Sequence, residues 1–70
     1  MTDHVYSVTE IVGTSSKSVE DAIENAVKTA AKTLRNLEWF EVETVRGHIA
    51  NGTVEHYQVA LKLGLRYEKH

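Results

Sequence analysis

Residues 53 to 67 alternate with a period of two. Tyr57, Val59, Leu61, Leu63, Leu65 and Tyr67 are apolar, and His56, Gln58, Ala60, Lys62, Gly64 and Arg66 stand between them. That pattern predicts a strand with the first set facing a core. Upstream, Asn51-Gly52 is a strong hairpin-turn signal, and residues 38 to 50 read as the partner strand. There Phe40, Val42 and Thr44 share one side, while Trp39, Glu41, Glu43, Val45 and Ile49 share the other. The apolar phase changes between Val42 and Val45, which predicts a bulge or partial burial of both faces. Residues 18 to 36 carry a different period. Val19, Ala22, Ile23, Ala26, Val27, Ala30, Ala31 and Leu34 recur at steps of three and four, the stripe of an amphipathic helix. Ser18 is the expected N-cap and Asp21 a variant of the capping box. Glu20, Asp21 and Glu24 lie early, and Lys28, Lys32 and Arg35 late, an order that suits the helix dipole. Residues 4 to 13 read as the first strand, closed by Gly13-Thr14-Ser15-Ser16.

The expected fold is therefore α+β, in the order β-α-β-β, with a three-stranded antiparallel sheet wrapped around one helix. Residues 1–70 make a single domain. A chain of 70 residues buries only about 60% of its unfolded surface. It has no cysteine to form a disulfide. A 15-residue strand spans roughly 45–50 Å, more than the helix of about 28 Å can cover. Three strands also leave two open edges. Small core, overlong strand and open edges all predict an obligate assembly.

The remaining composition narrows the function. Net charge is −2 with a pI near 6.0, which argues against a nucleic-acid partner. No apolar run approaches the ~20 residues of a membrane span, and the N-terminus lacks the regions of a signal peptide. A cytoplasmic location is expected. The four histidines, at 4, 48, 56 and 70, show no convincing ligand spacing. No serine is marked as a nucleophile, Glu41 and Glu43 read as a solvated strand face, and one glycine does not make a phosphate loop.

Trp39 and Gln58 are the suggestive residues. An indole either packs a core or stacks on a flat partner. A glutamine amide offers donor and acceptor together, which suits the edge of a heterocycle bearing carbonyl and imide groups. Arg46 and Arg66 can supply charge to a phosphate. Gln58 and Arg66 are eight residues apart, roughly 26 Å along a strand, so one small ligand reaches both only between subunits.

Val12-Gly13-Thr14-Ser15, Lys32-Thr33-Leu34-Arg35, Leu37-Glu38-Trp39-Phe40-Glu41-Val42, Val45-Arg46-Gly47 and Tyr57-Gln58-Val59 together resemble the dodecins, small flavin-binding proteins of bacteria and archaea. The resemblance covers nearly the whole chain. It implies a hollow homo-dodecamer of 23 symmetry in which paired flavins stack between tryptophans at two-fold interfaces. It assigns stacking to Trp39, a hydrogen bond to the polar edge of the flavin to Gln58, and a flavin or phosphate contact to Arg46 and, less directly, Arg66. FMN is the implied cofactor, with riboflavin or FAD as alternatives, and coenzyme A near the three-fold axis is a weaker suggestion involving Tyr6, Lys28 and Lys32. The implied role is flavin storage and photoprotection without enzymatic turnover. An oligomeric scaffold with no flavin and a flavin-dependent enzyme are the competing readings.

Overall fold

Four elements follow one another: β1 (Tyr6–Ser15), α1 (Val19–Ala30), β2 (Leu37–Ala50) and β3 (Thr53–Arg66). The structure, a computed structural model, describes residues 3–67. The three strands form one antiparallel sheet in the order β1-β3-β2. The expected β-α-β-β architecture is observed.

The core lies between α1 and the central strand. Val59, Leu61 and Leu63 are fully buried against Ala22, Ala26 and Ala30, with Ile11, Ile23, Val27, Leu34, Leu37 and Leu65 packed around them. Alanines on the helix stripe let the backbone come close to the sheet. Gly13 brings it closer still, because a Cβ there would collide with the Ala22 carbonyl and lie 2.8 Å from the Ala26 Cβ. Overpacking of this kind costs about 1–3 kcal/mol, and each kcal/mol moves the melting temperature of a small domain by about 4–8 °C. Gly13→Ala is expected to lower the melting temperature by several degrees, measured calorimetrically at one fixed protein concentration. An unchanged value would mean that helix and strand separate without cost.

Helix α1 starts as expected and stops early. The Asp21 backbone N–H donates to Ser18 Oγ at 3.0 Å, which is the N-cap bond. Asp21 does not complete a capping box. Its carboxylate instead accepts the Ser15 hydroxyl at 2.6 Å, and Ser15 Oγ in turn receives the N–H of Lys17 at 2.9 Å. The strand end and the helix start are thereby tied into one network. At the other end the helix closes at Ala30 rather than at residue 36. The N–H groups of Lys32 and Thr33 bond three residues back, to Thr29 and Ala30, the tighter geometry of a last turn. Asn36 then adopts φ 62°. Its carbonyl accepts the Arg66 N–H at 2.9 Å and its amide donates to the Arg66 carbonyl at 3.3 Å, so the chain is turned directly into β2. Strand β1 also begins and ends two residues later than expected. Tyr67, expected to face the core, is exposed.

The hairpin turn is as expected, with Asn51 at φ 54° and Gly52 at φ 76°, the primed turn that matches strand twist. Strand β2 carries the anticipated irregularity between Val42 and Thr44, and the β2–β3 ladder breaks at two further places, between Leu37 and Trp39 and between His48 and Ile49. Each break leaves one glutamate without a cross-strand partner: Glu38, Glu43 and Glu55. Bulges re-aim the extra residue, and each glutamate ends beside a basic side chain. Glu38 meets Arg66 at 3.5 Å, Glu43 meets Lys62 at 3.2 Å, and Glu55 lies beside His48 and His56.

The helix packs over β1 and β3 and leaves β2 beyond Leu37 uncovered. Phe40, Val42 and Val45, which pair with the buried Leu63, Leu61 and Val59, therefore remain exposed, and Ile49 is 70% exposed. The subunit measures 55 × 21 × 15 Å and has an accessible surface of 5301 Å², against about 4,400 Å² for a compact monomer of its mass.

Candidate functional site

Residues opposite one another in an antiparallel ladder point to the same side. The register therefore defines the sheet face turned away from the helix as a series of rows. Trp39, Gly64 and Val8 form one row, Glu41, Lys62 and Glu10 the next, then Thr44, Ala60 and Val12, then Arg46, Gln58 and Thr14, and finally His48 and His56. Trp39 and Gln58 thus share the outer face.

The indole of Trp39 lies over Gly64. A Cβ built on Gly64 would fall inside the fused ring, against its Cδ2, Cε2 and Cζ2 atoms. The glycine is buried beneath a ring that is itself 41% exposed. Tyr6 meets the indole edge to face, with ring centroids 6.1 Å apart and planes at 65°, a favoured aromatic geometry. The Tyr6 hydroxyl donates to Glu38 Oε1 at 3.1 Å, and Arg66, directly opposite Tyr6 in the ladder, pairs with the other carboxylate oxygen. Accepting that hydrogen bond, Glu38 raises the phenol pKa above its ordinary value. The platform is therefore fixed from below by Gly64 and from the side by Tyr6, while Glu38 joins Tyr6 to Arg66.

Arg46 and Gln58 form a second cluster, directly opposite one another. Within the described residues neither side chain has a hydrogen-bond or ionic partner. Six residues separate Gln58 from Gly64, roughly 20 Å along the strand. Between the two clusters lies the ionic row. Lys62 is held charged beyond its ordinary range, first by its hydrogen bond and charge contact with Glu43 and then by Glu10 and Glu41.

The structure brings together Trp39 with Arg66, and Arg46 with Gln58, but it does not bring the two pairs together within one subunit. Within one subunit the aromatic platform stands without a polar reader, and the polar reader without a platform. A flat heterocycle fits this donor set: one exposed ring face to stack on, an unengaged amide to read its edge and an unengaged guanidinium for an anionic tail.

Sequence reasoning did not identify Gly64, Glu38 or the contact of Tyr6 with the indole. Gly64 carried a signal, since glycine inside a strand often marks a close approach by another group. Glu38 carried none, because its orientation depends on a bulge.

The sequence matches the Dodecin family over residues 5–68. It is 49% identical over 65 residues to the dodecin of Thermus thermophilus, covering 93% of this chain and 94% of that protein. The dodecin of Streptomyces coelicolor superposes with a TM-score of 0.91 at 56% identity, over the full length of both chains. A variant of the Thermus thermophilus dodecin with a tryptophan replaced by phenylalanine superposes with a TM-score of 0.89 at 46% identity, covering 96% of this chain and all of that one. Variants of the same dodecin with an arginine replaced by alanine match similarly. A family match over almost the whole chain, agreement in fold and the paired clusters on the outer face lead to one conclusion: this chain belongs to the dodecins, a family of small, non-enzymatic, oligomeric flavin-binding proteins.

Proposed function

We propose that the protein binds FMN at an interface between two of its subunits, holds it in reserve and suppresses its photochemistry. The observation that carries this reading is the indole of Trp39 laid over Gly64, with the ring left exposed and braced by Tyr6. A surface tryptophan supported in this way is a platform for a planar ligand. In the proposed site the isoalloxazine stacks on Trp39, Gln58 reads its carbonyl and imide edge, and Arg46 meets the phosphate, which favours FMN over riboflavin. Arg66, already paired with Glu38, positions Tyr6 and the platform and adds positive charge to its rim. An electron-rich indole in van der Waals contact with a photoexcited flavin quenches it by electron donation. The substituted tryptophan and arginines of the Thermus relative are residue types this proposal also uses.

Assembly belongs to the same proposal. The exposed helix-side row of β2 and the two open edges ask for cover, and a hollow dodecamer supplies it. Coenzyme A does not enter. In the subunit the Tyr6 phenol lies on the outer face of the sheet, held by Glu38, whereas Lys28 and Lys32 belong to the helix and the turn after it, on the other side.

The test is fluorimetric. Titrating flavin-free protein into FMN is expected to quench the flavin emission strongly and saturably, at one flavin per subunit. FMN that keeps its emission at saturating protein overturns the proposal. It would leave an assembly module in which Trp39 only seals an interface.

A further inference from the structure

An indole that gives up an electron must be reduced again or be lost to further oxidation, and the chain holds a single tryptophan. The aromatic ring in contact with Trp39 is itself redox-active. Tyr6 meets the indole edge to face at 6.1 Å between centroids, and its hydroxyl donates to Glu38 Oε1 at 3.1 Å. In a regular strand Glu38 and Trp39 would point to opposite faces. Glu38 is the unpaired residue of the first bulge, and its carboxylate reaches the same side as the indole. Arg66 holds the second carboxylate oxygen at 3.5 Å. The hydrogen bond to Glu38 also raises the phenol pKa, so at neutral pH the phenol keeps its proton until it is oxidised. His4 touches the Tyr6 ring at 6.4 Å between centroids, but the hydroxyl is held by Glu38. Tyr57 stands seven residues from Gly64 along β3, roughly 23 Å, and Tyr67 lies past the end of that strand at Arg66.

We propose that Tyr6 and Glu38 form a proton-coupled electron relay that restores Trp39 after the indole has been oxidised. The role rests on the flavin reading, in which a photoexcited flavin is the oxidant that takes one electron from the indole. When that electron does not return at once, Tyr6 supplies one electron to the indole radical cation and passes its phenolic proton to the Glu38 carboxylate. The indole is then reduced and neutral, the phenol is a neutral phenoxyl radical, and the carboxylate is a carboxylic acid. If the indole nitrogen has already shed its own proton, water returns it as the electron arrives. The cycle closes when the electron returns from the flavin to Tyr6 and Glu38 gives the proton back. No further reductant is needed. The ring contact gives the electron a direct path. A phenol that loses an electron becomes a strong acid, and a carboxylate at hydrogen-bond distance is placed to take its proton in the same event.

Pulse radiolysis of the full-length, flavin-free protein tests the relay in the absence of flavin. At neutral pH the azidyl radical oxidises indole in preference to phenol, so Trp39 is oxidised first. The visible absorbance of the indole radical is expected to decay as the narrow violet band of a phenoxyl radical rises, at one rate that is independent of protein concentration and slower in heavy water. Tyr6→Phe should remove the coupled rise. Glu38→Gln keeps an acceptor oxygen but cannot take the proton, and should slow the transfer by about 100-fold, the low end of what a positioned base contributes. His4→Gln and Tyr57→Phe should leave the rate unchanged. Near-ultraviolet circular dichroism and sedimentation establish that each variant is assembled and keeps the contact with the indole. The proposal is overturned if the indole radical decays without a phenoxyl rise, if the rate scales with protein concentration or ignores heavy water, or if Tyr6→Phe or Glu38→Gln transfers as fast as the parent. FMN quenching is measured on the same samples. Quenching without transfer overturns the relay alone, and transfer without quenching overturns the flavin reading and leaves the relay standing.

Discussion

Trp39→Ala is expected to weaken FMN binding by about 10- to 100-fold and to restore most of the emission of whatever flavin remains bound. Stacking of a flat heterocycle on an aromatic side chain is worth about 1–3 kcal/mol by alanine substitution, and each 1.4 kcal/mol is tenfold in affinity. The substitution also removes the electron donor in contact with the flavin, so brightness should change even at flavin concentrations high enough to saturate the variant. These two readouts separate binding from quenching. Trp39→Phe should retain part of the affinity, because a smaller ring still stacks, and lose much of the quenching, because benzene is a weaker electron donor than indole. Glu41→Ala is the comparison on the same face, two residues from Trp39, and should alter FMN affinity much less. If Trp39→Ala keeps full affinity and full quenching, the flavin lies elsewhere and the platform over Gly64 is only a packing feature.

The alternation in residues 53 to 67 located the central strand and its buried row, and three of its apolar residues, Val59, Leu61 and Leu63, are the largest fully buried side chains among the described residues. The helix period likewise located the alanine face. Both signals survive in sequence because burial is set by local periodicity. The end of the helix was not legible, because Ala31 and Leu34 continue the apolar stripe. Leu34 does pack against the core, but from beyond the helix, after the chain has tightened at Lys32 and Thr33. Asn36, whose backbone and side chain both engage Arg66, thirty residues away, then fixes where the chain enters β2. A long-range clamp of this kind leaves no local pattern. The bulge in the middle of β2 was visible as a change of apolar phase. Those at Glu38 and Glu55 shift no hydrophobic residue conspicuously, yet one anchors Tyr6 and Arg66 beside the indole and the other brings a carboxylate beside the histidine pair. The same holds for Trp39. Its type and position were plain in the sequence, while its support by a buried glycine one strand away was not.

That support gives the most discriminating experiment, because it predicts a reversal of sign. The backbone of Gly64 is outside the positive-φ region, so alanine can adopt its conformation without strain. Replacing glycine at such a position stabilises by about 0.4–1 kcal/mol, chiefly by restricting the unfolded chain. In the native protein that gain is overwhelmed, since the new methyl would occupy the space of the indole and Trp39 must lift or turn away. Gly64→Ala is therefore expected to lower the melting temperature at fixed protein concentration, alter the near-ultraviolet circular dichroism of Trp39 and reduce FMN affinity by at least about tenfold. In a Trp39→Ala background the clash is gone. There Gly64→Ala should raise the melting temperature and leave the already weakened flavin affinity unchanged. Residues in direct contact couple by about 0.5–3 kcal/mol in a double-mutant cycle, well above the error of such a measurement. Additive effects on stability and affinity would show that glycine and indole act independently. Coupling in both would show that a residue without a side chain holds the tryptophan where a flavin can stack on it.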